Sequence, residues 1–441
     1  MLKRKIISEL EAWLQDGAKK ALLLKGARQV GKTTTIRAFA KQHYKHFVEI
    51  NFEKMPVAKE AFAGNLDANT ILSQLSLMGF GPFVEHKTLV FLDEIQSCPN
   101  ARTAIKFLVE DGRFDYIESG SLLGLNYGEV SSYPVGFEYR VDMYPLDFEE
   151  FLWAKGVGEE VIEQMKATLR SRKPLNAFMH EQLSKYYREY LIVGGMPEVV
   201  TTYIGDADFS KTLKVQRSIV DSYRDDIAKY AGTEKARAKV FFDAIPAELS
   251  KQKKRFIIAN IERRASAQKY ENAAQWLIDA GVAYFSYNTH DLLLPFEQYE
   301  NRNLYKVFLL DTGLLCSMWR EPIQWQVLNG AIDINEGALT ENYVAGELVK
   351  KGYALHYYDK KSRQELDFLV ARENKLCIVE AKSGEDYKKH ASLDTAMEQG
   401  AERPEVKLGE PMVVSKFEME EQDGVLYVPL YAFGWMMEGK N

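Results

Sequence analysis

With 441 residues the chain exceeds one small core, and the usual domain size divides it into roughly two to four domains. Hydrophobic residues make up 46% and charged residues 27%, a soluble globular balance; the net charge of -6 excludes a global pull toward nucleic acid or anionic membrane, so any polyanion site must be local. Cys98, Cys316 and Cys377 stand far apart without C-x-x-C spacing, which supports neither a zinc ribbon nor a disulfide framework and points to a reducing cytoplasm.

The N-terminus, MLKRKIISELEAWLQDG, reads as an amphipathic helix with Ile6, Ile7, Leu10 and Leu14 on one stripe. It lacks the continuous apolar core and cleavage site of a signal peptide, and no stretch of the chain approaches the ~18 apolar residues of a membrane span. The apolar segments ALLLK (21–25), HFVEIN (46–51), TLVFLD (88–93) and FDYIES (114–119) then alternate with helical patterns. Uniformly apolar strands separated by helices predict a parallel sheet covered on both faces, an α/β nucleotide-binding architecture.

Directly after the first of these strands, and directly before a helix, comes Gly26-Ala27-Arg28-Gln29-Val30-Gly31-Lys32-Thr33, followed by Thr34. This is the G-x-x-x-x-G-K-[ST] spacing. Glycines let the backbone wrap phosphates, and N–H groups at a helix start, with the dipole behind them, donate to the oxygens. Lys32 then reaches the β- and γ-phosphates of ATP, and Thr33 ligates magnesium. The strand Leu89–Leu92 ends in Asp93-Glu94, at the edge where parallel sheets bind ligands. Asp93 is expected to hold magnesium through water, and Glu94 to orient and deprotonate the attacking water. The next strand runs into Ser119-Gly120-Ser121; either serine is a candidate sensor of the γ-phosphate, and a simple strand-ending turn is the alternative. Arg140 is a candidate arginine finger for a neighbouring subunit or domain.

From Phe148 to about Tyr230 the pattern is mostly helical, broken at GGMP (194–197). Between Lys235 and Leu293 three helix-like segments precede a strand, with Gly281 as the stop, an order that suggests a winged helix. Residues 251–269 carry seven positive charges against one negative, Glu262. On a helix, Phe256, Ile257 and Ile261 face inward and leave Lys253, Lys254, Arg263 and Arg264 exposed near DNA phosphates, with Gln268–Leu277 as the groove-reading helix. A solvated charged face or a protein contact is the alternative.

After Asn335 the chain returns to α/β: a helix at 337–351, the strand ALHYYD, a hairpin QELDFLVARENKLCIVEAKSG, a helix near 389–399, and strands at MVVS and VLYVPLY. A hairpin turn centred between Glu373 and Asn374 sets Asp367 opposite Glu380, about 5 Å away, close enough to share a divalent cation. Alternation puts Lys382 on the same face and turns Ala381 away. Glu365 is expected to point to the other face, toward solvent. Glu341 falls on the stripe of Val344, Ala345 and Leu348 that faces the core, where a carboxylate needs a partner, and a metal shared with Asp367 and Glu380 supplies one.

The ordered set GARQVGKTT, VFLDEIQ, SGS, PVGFE, MYPLDFEEFLWA, GGMPEVV, KVFLLDTGLL, ELDFLV and VEAKSG resembles the bacterial and archaeal AAA-type ATPases that carry a C-terminal DUF4143 domain. The resemblance spans nearly the whole chain and implies a P-loop ATPase, a winged-helix middle and a nuclease-like end. Glu341, Asp367 and Glu380-x-Lys382 are similar to the PD-(D/E)XK nuclease pattern, in which carboxylates bind magnesium and the lysine positions or activates water; Leu366 stands where that pattern usually has proline.

The expected architecture is therefore α/β: a P-loop AAA-type ATPase domain at 1–150, a helical region at 151–234, a winged-helix-like region at 235–330, and a restriction-endonuclease-like domain at 331–441. Its expected cofactors are ATP and magnesium. DNA, through residues 251–269, is one expected partner, with cleavage at the C-terminal site; a switch or scaffold for protein partners with a spent nuclease-like site is the alternative. Membrane association is not expected, and analogy alone leaves homo-oligomer formation open.

Overall fold

The computed structural model describes residues 2–17, 19–121, 134–262, 267–319, 324–328, 336–360 and 364–438. The chain forms two compact units, one built on Lys3–Tyr144 with Asp279–Gly281 and the other on Pro145–Ile278 with Val282–Asn441.

The first unit is organised by five strands, β1 (Ala21–Lys25), β2 (His46–Asn51), β3 (Thr88–Asp93), β4 (Asp115–Gly120) and β5 (Glu138–Asp142), all parallel and ordered β2-β3-β4-β1-β5. Alternating side chains fill both faces. Leu23, Ile50, Val90 and Leu92 pack with Ile71 and Leu75 of the helix Ala68–Leu77 and Ile105 and Leu108 of the helix Pro99–Asp111. The other face buries Leu22, Leu24, Leu89 and Phe91. Helices Ile6–Gln15 and Lys32–His43 pack against each other there, with Trp13 and Phe39 rings 6.4 Å apart. The expected sheet with two helical layers is what forms. It gains β5, whose sequence EYRVD is partly exposed along its length and carries no apolar run.

Inside this unit lies an ion-pair network. Arg102 donates to Glu118 Oε2 at 2.6 Å and to Glu138 Oε1 at 2.8 Å, tying the helix Pro99–Asp111 to β4 and β5. Glu118 is fully buried, and burial pushes its carboxyl up to about 7. A buried charge of this kind persists only because its partner is in place.

The second unit contains an eight-stranded mixed sheet made of β6 (Ala283–Thr289), β7 (Glu300–Leu309), β8 (His356–Asp359), β9 (Glu365–Arg372), β10 (Lys375–Lys382), β11 (Met412–Ser415), β12 (Glu420–Gln422) and β13 (Val425–Pro429), in the order β12-β13-β11-β10-β9-β8-β6-β7. The hairpin β6–β7 follows the helices Lys235–Leu249, Ile258–Ile261 and Ala267–Asp279, and β6 also pairs in parallel with β8. The strand that the winged-helix expectation puts after its helices, β6, thus pairs with both β7 and β8 in this sheet.

Motifs shared with the resembling family have structural work here. Asp311 caps the helix Thr312–Met318 by accepting from the Leu314 N–H at 2.9 Å, and its other oxygen accepts from the Gly195 N–H at 2.6 Å. Gly194 has φ 74°, and a Cβ there would fall 2.1 Å from Asp311 Oδ1, so GGMP and LLDTG are fitted to one another. Asp147 and Glu150 of PLDFEE form a capping box that starts the helix Phe148–Ala154.

Among the described residues, no helix is long and apolar enough to cross a membrane.

Candidate functional site

Strand order explains how the first site is assembled. Placing β4 between β1 and β3 brings the carboxyl ends of all three strands together, so Gly26, Ser119 and Asp93 meet although their sequence positions are far apart. The loop from Gly26 to Gly31 turns directly into the helix Lys32–His43. Two of its glycines are required by shape. Gly31 has φ 99°, and Gly26 has φ 152° with space for a Cβ closed by the Met143 carbonyl oxygen at 2.2 Å. Ala27 and Val30 are buried, Gln29 is left-handed with φ 65°, and Arg28 leans toward Glu53 at 3.7 Å.

Lys32 is buried, and its ammonium donates to the Gly26 and Ala27 carbonyls at 2.8 and 2.9 Å. Burial pulls its pKa down to about 8, against the opposing pull of Glu94 and Asp93. The Thr33 hydroxyl donates to Asp93 Oδ2 at 3.2 Å, the Asn51 amide donates to the same oxygen at 2.8 Å, and the Ser119 hydroxyl donates to Oδ1. Asp93 is therefore aimed by donors from three elements. Glu94 follows in the left-handed conformation, φ 55°, which turns it off the strand axis; its carboxylate accepts from Gln96 at 2.5 Å, and burial raises its pKa. A non-glycine residue held at positive φ costs about 1 kcal/mol or more and persists only where the surrounding structure holds it. Thr34 lies in the same first helical turn.

The loop fits a nucleotide triphosphate with magnesium on its donor chemistry. N–H groups of a helix start, one ammonium, one hydroxyl and one carboxylate face the same strand ends. Ser121 is buried, and its hydroxyl has no hydrogen-bond partner among the described residues. Arg140, on β5, is half-exposed and engages Glu138 at 2.7 Å. Sequence reasoning missed Asn51, and its signal was there: a polar residue ends the strand HFVEIN beside β3, in register with Asp93.

The second cluster is in the other unit. Glu373 and Asn374 have φ 51° and 58°, a two-residue turn of the kind that closes tight hairpins. Pairs run from Arg372–Lys375 to Phe368–Val379, which brings Asp367 and Glu380 face to face as the turn predicts. The Asp367 N–H donates to Glu380 Oε1 at 3.2 Å, the Ala381 N–H donates to Asp367 Oδ2 at 3.1 Å, and Lys382 Nζ lies 3.0 Å from Glu380 Oε2. Burial first, then the Asp367 charge, pushes the Glu380 carboxyl up to about 8. Asp367 goes the other way: burial would raise it, but the ammonium groups of Lys306, Lys382 and Lys254 together hold it below the usual carboxylate range.

Glu341 is buried on the helix Glu336–Lys350 and does have partners, but they are lysines. Lys254 donates to Oε1, and Lys306 Nζ lies 3.6 Å from Oε2. Lys306, on β7 and only 1% exposed, also approaches Glu365 at 2.9 Å and Asp367 at 3.6 Å. Two expectations are corrected. Glu365 turns to the cluster, because it stands two residues before Asp367 and the strand period of two puts both on one face. Lys254 turns inward to Glu341, because residues 251–257 form no helix and only Ile258–Ile261 does. Elsewhere in the basic stretch Lys251 pairs with Glu248 and Lys269 with Glu262, Lys253 is exposed, and Arg263 and Arg264 lie outside the described residues.

Residues 18–152 match the model of an AAA domain, residues 184–324 a domain of unknown function, DUF8612, and residues 336–433 a domain of unknown function, DUF4143. The chain is 24% identical over 373 residues to an uncharacterized protein of Methanocaldococcus jannaschii, covering 81% of this chain and 74% of that one. It is 24% identical over 313 residues to an uncharacterized protein of Haemophilus influenzae, with 68% of this chain and 66% of that one covered. Among solved structures it is similar to the Walker-type ATPase of Pyrococcus abyssi at 14% identity and a TM-score of 0.44, over 72% of this chain and 96% of that one. The chain thus matches an AAA domain over residues 18–152 and DUF4143 over residues 336–433.

Proposed function

We propose that the chain binds ATP with magnesium and hydrolyses it at the carboxyl ends of β1, β3 and β4. The observation that carries this reading is the convergence on Asp93: Thr33, Asn51 and Ser119 all donate to its carboxylate, one residue before Glu94 and within reach of the Lys32 loop. Gly26 to Thr34 wrap the phosphates through backbone N–H groups, and Lys32 exchanges its loop carbonyls for β- and γ-phosphate oxygens. Thr33 and Asp93 hold magnesium, which when bound neutralises charge on the transferring phosphate. Glu94, its carboxyl raised by burial, accepts a proton from the attacking water. Ser119 keeps Asp93 aimed and, with Ser121, reports the γ-phosphate to β4. The test is phosphate release by wild type and Lys32→Ala. Turnover should disappear in a folded variant, and normal turnover there would refute the loop assignment.

A second reading takes the ATP-driven motion to DNA, with cleavage at the C-terminal cluster. One observation favours it, the hairpin register that sets Asp367 against Glu380 with Lys382 on their face. The alternative, a cytoplasmic switch or scaffold that changes partners or assembles with its own copies, is favoured by Lys306 and Lys254 standing among the carboxylates. Nicking that needs magnesium or manganese and disappears in both Asp367→Ala and Lys382→Ala decides for cleavage; its absence on single-stranded, duplex and branched DNA decides for the switch.

A further inference from the structure

The nuclease-like pattern implies a divalent metal between Glu341, Asp367 and Glu380, and the residues can be tested for their fit to one. Each oxygen of the three carboxylates faces a nitrogen. Lys254 donates to one oxygen of Glu341, and the other, buried and without a hydrogen-bond partner among the described residues, lies 3.6 Å from the Lys306 ammonium; Lys306 stands 3.6 Å from one oxygen of Asp367, whose other oxygen accepts from the Ala381 N–H; the Asp367 N–H and Lys382 engage those of Glu380. Magnesium needs bare oxygen lone pairs at about 2.0–2.1 Å, and calcium at about 2.3–2.6 Å. Among the described residues no group of three or more acidic, histidine or cysteine side chains is arranged to hold a metal ion.

Lys306 is the decisive group. Its ammonium is at the inner end of the cluster, 2.9 Å from Glu365 and 3.6 Å from both Asp367 and Glu341, and 5.2 Å from the Tyr357 ring centre. At 1% exposure it cannot turn to water. A buried ammonium persists only where anionic partners offset its lost hydration, so the carboxylates are committed to it. A divalent cation bound by the same oxygens would meet this fixed positive charge at close range.

We infer that Lys306 takes the place of the metal, so that the carboxylate cluster of the DUF4143 domain is a metal-independent ion-pair core. The inference is independent of the ATPase reading, since it concerns another unit and another set of residues.

The test is calorimetric titration of manganese into the nucleotide-free full chain, with circular dichroism to verify folding, for wild type, Asp367→Asn, Lys306→Met and the double variant. Wild type and Asp367→Asn should give the same isotherm, because manganese bound at the loop site is common to both. Lys306→Met should gain a site at least tenfold tighter than any the wild type shows in this unit, and Asp367→Asn in that background should remove it. Manganese binding in wild type that Asp367→Asn weakens tenfold would overturn the inference, as would a folded Lys306→Met that gains no site. If Lys306→Met does not fold, the comparison of wild type with Asp367→Asn still decides.

Discussion

The Thr33 hydroxyl and Asp93 Oδ2 lie 3.2 Å apart, one at the start of a helix and the other at the end of β3, and they meet only because β4 separates β1 from β3. Asp93 keeps its Asn51 and Ser119 donors when the hydroxyl is removed. Thr33→Ala should therefore leave the fold intact, while the magnesium concentration for half-maximal ATP turnover rises at least about tenfold. Steady-state phosphate release across a magnesium series measures it.

Lys32 links the same site to stability. Its pKa falls from the ordinary lysine value to about 8 in the folded, nucleotide-free state. Below that value the folded state carries a buried charge that the unfolded chain solvates freely, so the penalty is fully present at pH 7. The unfolded chain binds more protons between about 8 and the ordinary value, so stability rises with pH through that window. Lys32→Met should raise the melting temperature of the nucleotide-free protein at pH 7, by a free energy on the order of 1–3 kcal/mol, and the gap should shrink at pH 9.5. Scanning calorimetry at the two pH values tests the sign, and ATP turnover should be absent in the variant.

Arg102 and Glu118 give the first unit its buried ion pair. Arg102→Ala leaves a fully buried carboxylate without its cation and should cost about 3–5 kcal/mol. Adding Glu118→Gln should recover part of that loss. Urea denaturation of the single and double variants separates the two, and equal stability of Arg102→Ala and wild type would contradict the network.

The basic stretch makes a weaker electrostatic surface than its letters suggest, because Lys251, Lys254 and Lys269 are each paired with a glutamate. Four positive residues of the seven, Lys253, Arg255, Arg263 and Arg264, are left outside these pairs, so DNA binding through this stretch should neutralise no more than about four phosphates, and the logarithm of affinity should fall with the logarithm of salt at a slope no steeper than about -4. Fluorescence anisotropy across a salt series measures the slope, and a value near -6 would contradict the pairing.

Much of this was legible in the sequence where a local rule applied. Strands 21–25, 46–51 and 88–93 stand where apolar runs put them, and the 373–374 turn alone set Asp367 against Glu380. The failures have a common physical origin. EYRVD carries an edge strand with no apolar run to reveal it. Lys306 interrupts the apolar run LYKVFL at the end of β7, and its three carboxylate partners come from a helix and another strand far along the chain, so only tertiary structure shows why a lysine is buried there. A lone lysine inside such a run was the available signal. Lys254 was misplaced because Glu341 drew it inward, an override of local pattern by a buried charge needing a partner.

In the proposed function Glu94 carries hydrolysis at the strand ends. The most direct measurement compares phosphate release and ATP retention in wild type and Glu94→Gln. Glu94→Gln should still bind ATP with magnesium but turn it over roughly 100-fold more slowly or worse. A folded Glu94→Gln that hydrolyses ATP at the wild-type rate would contradict it.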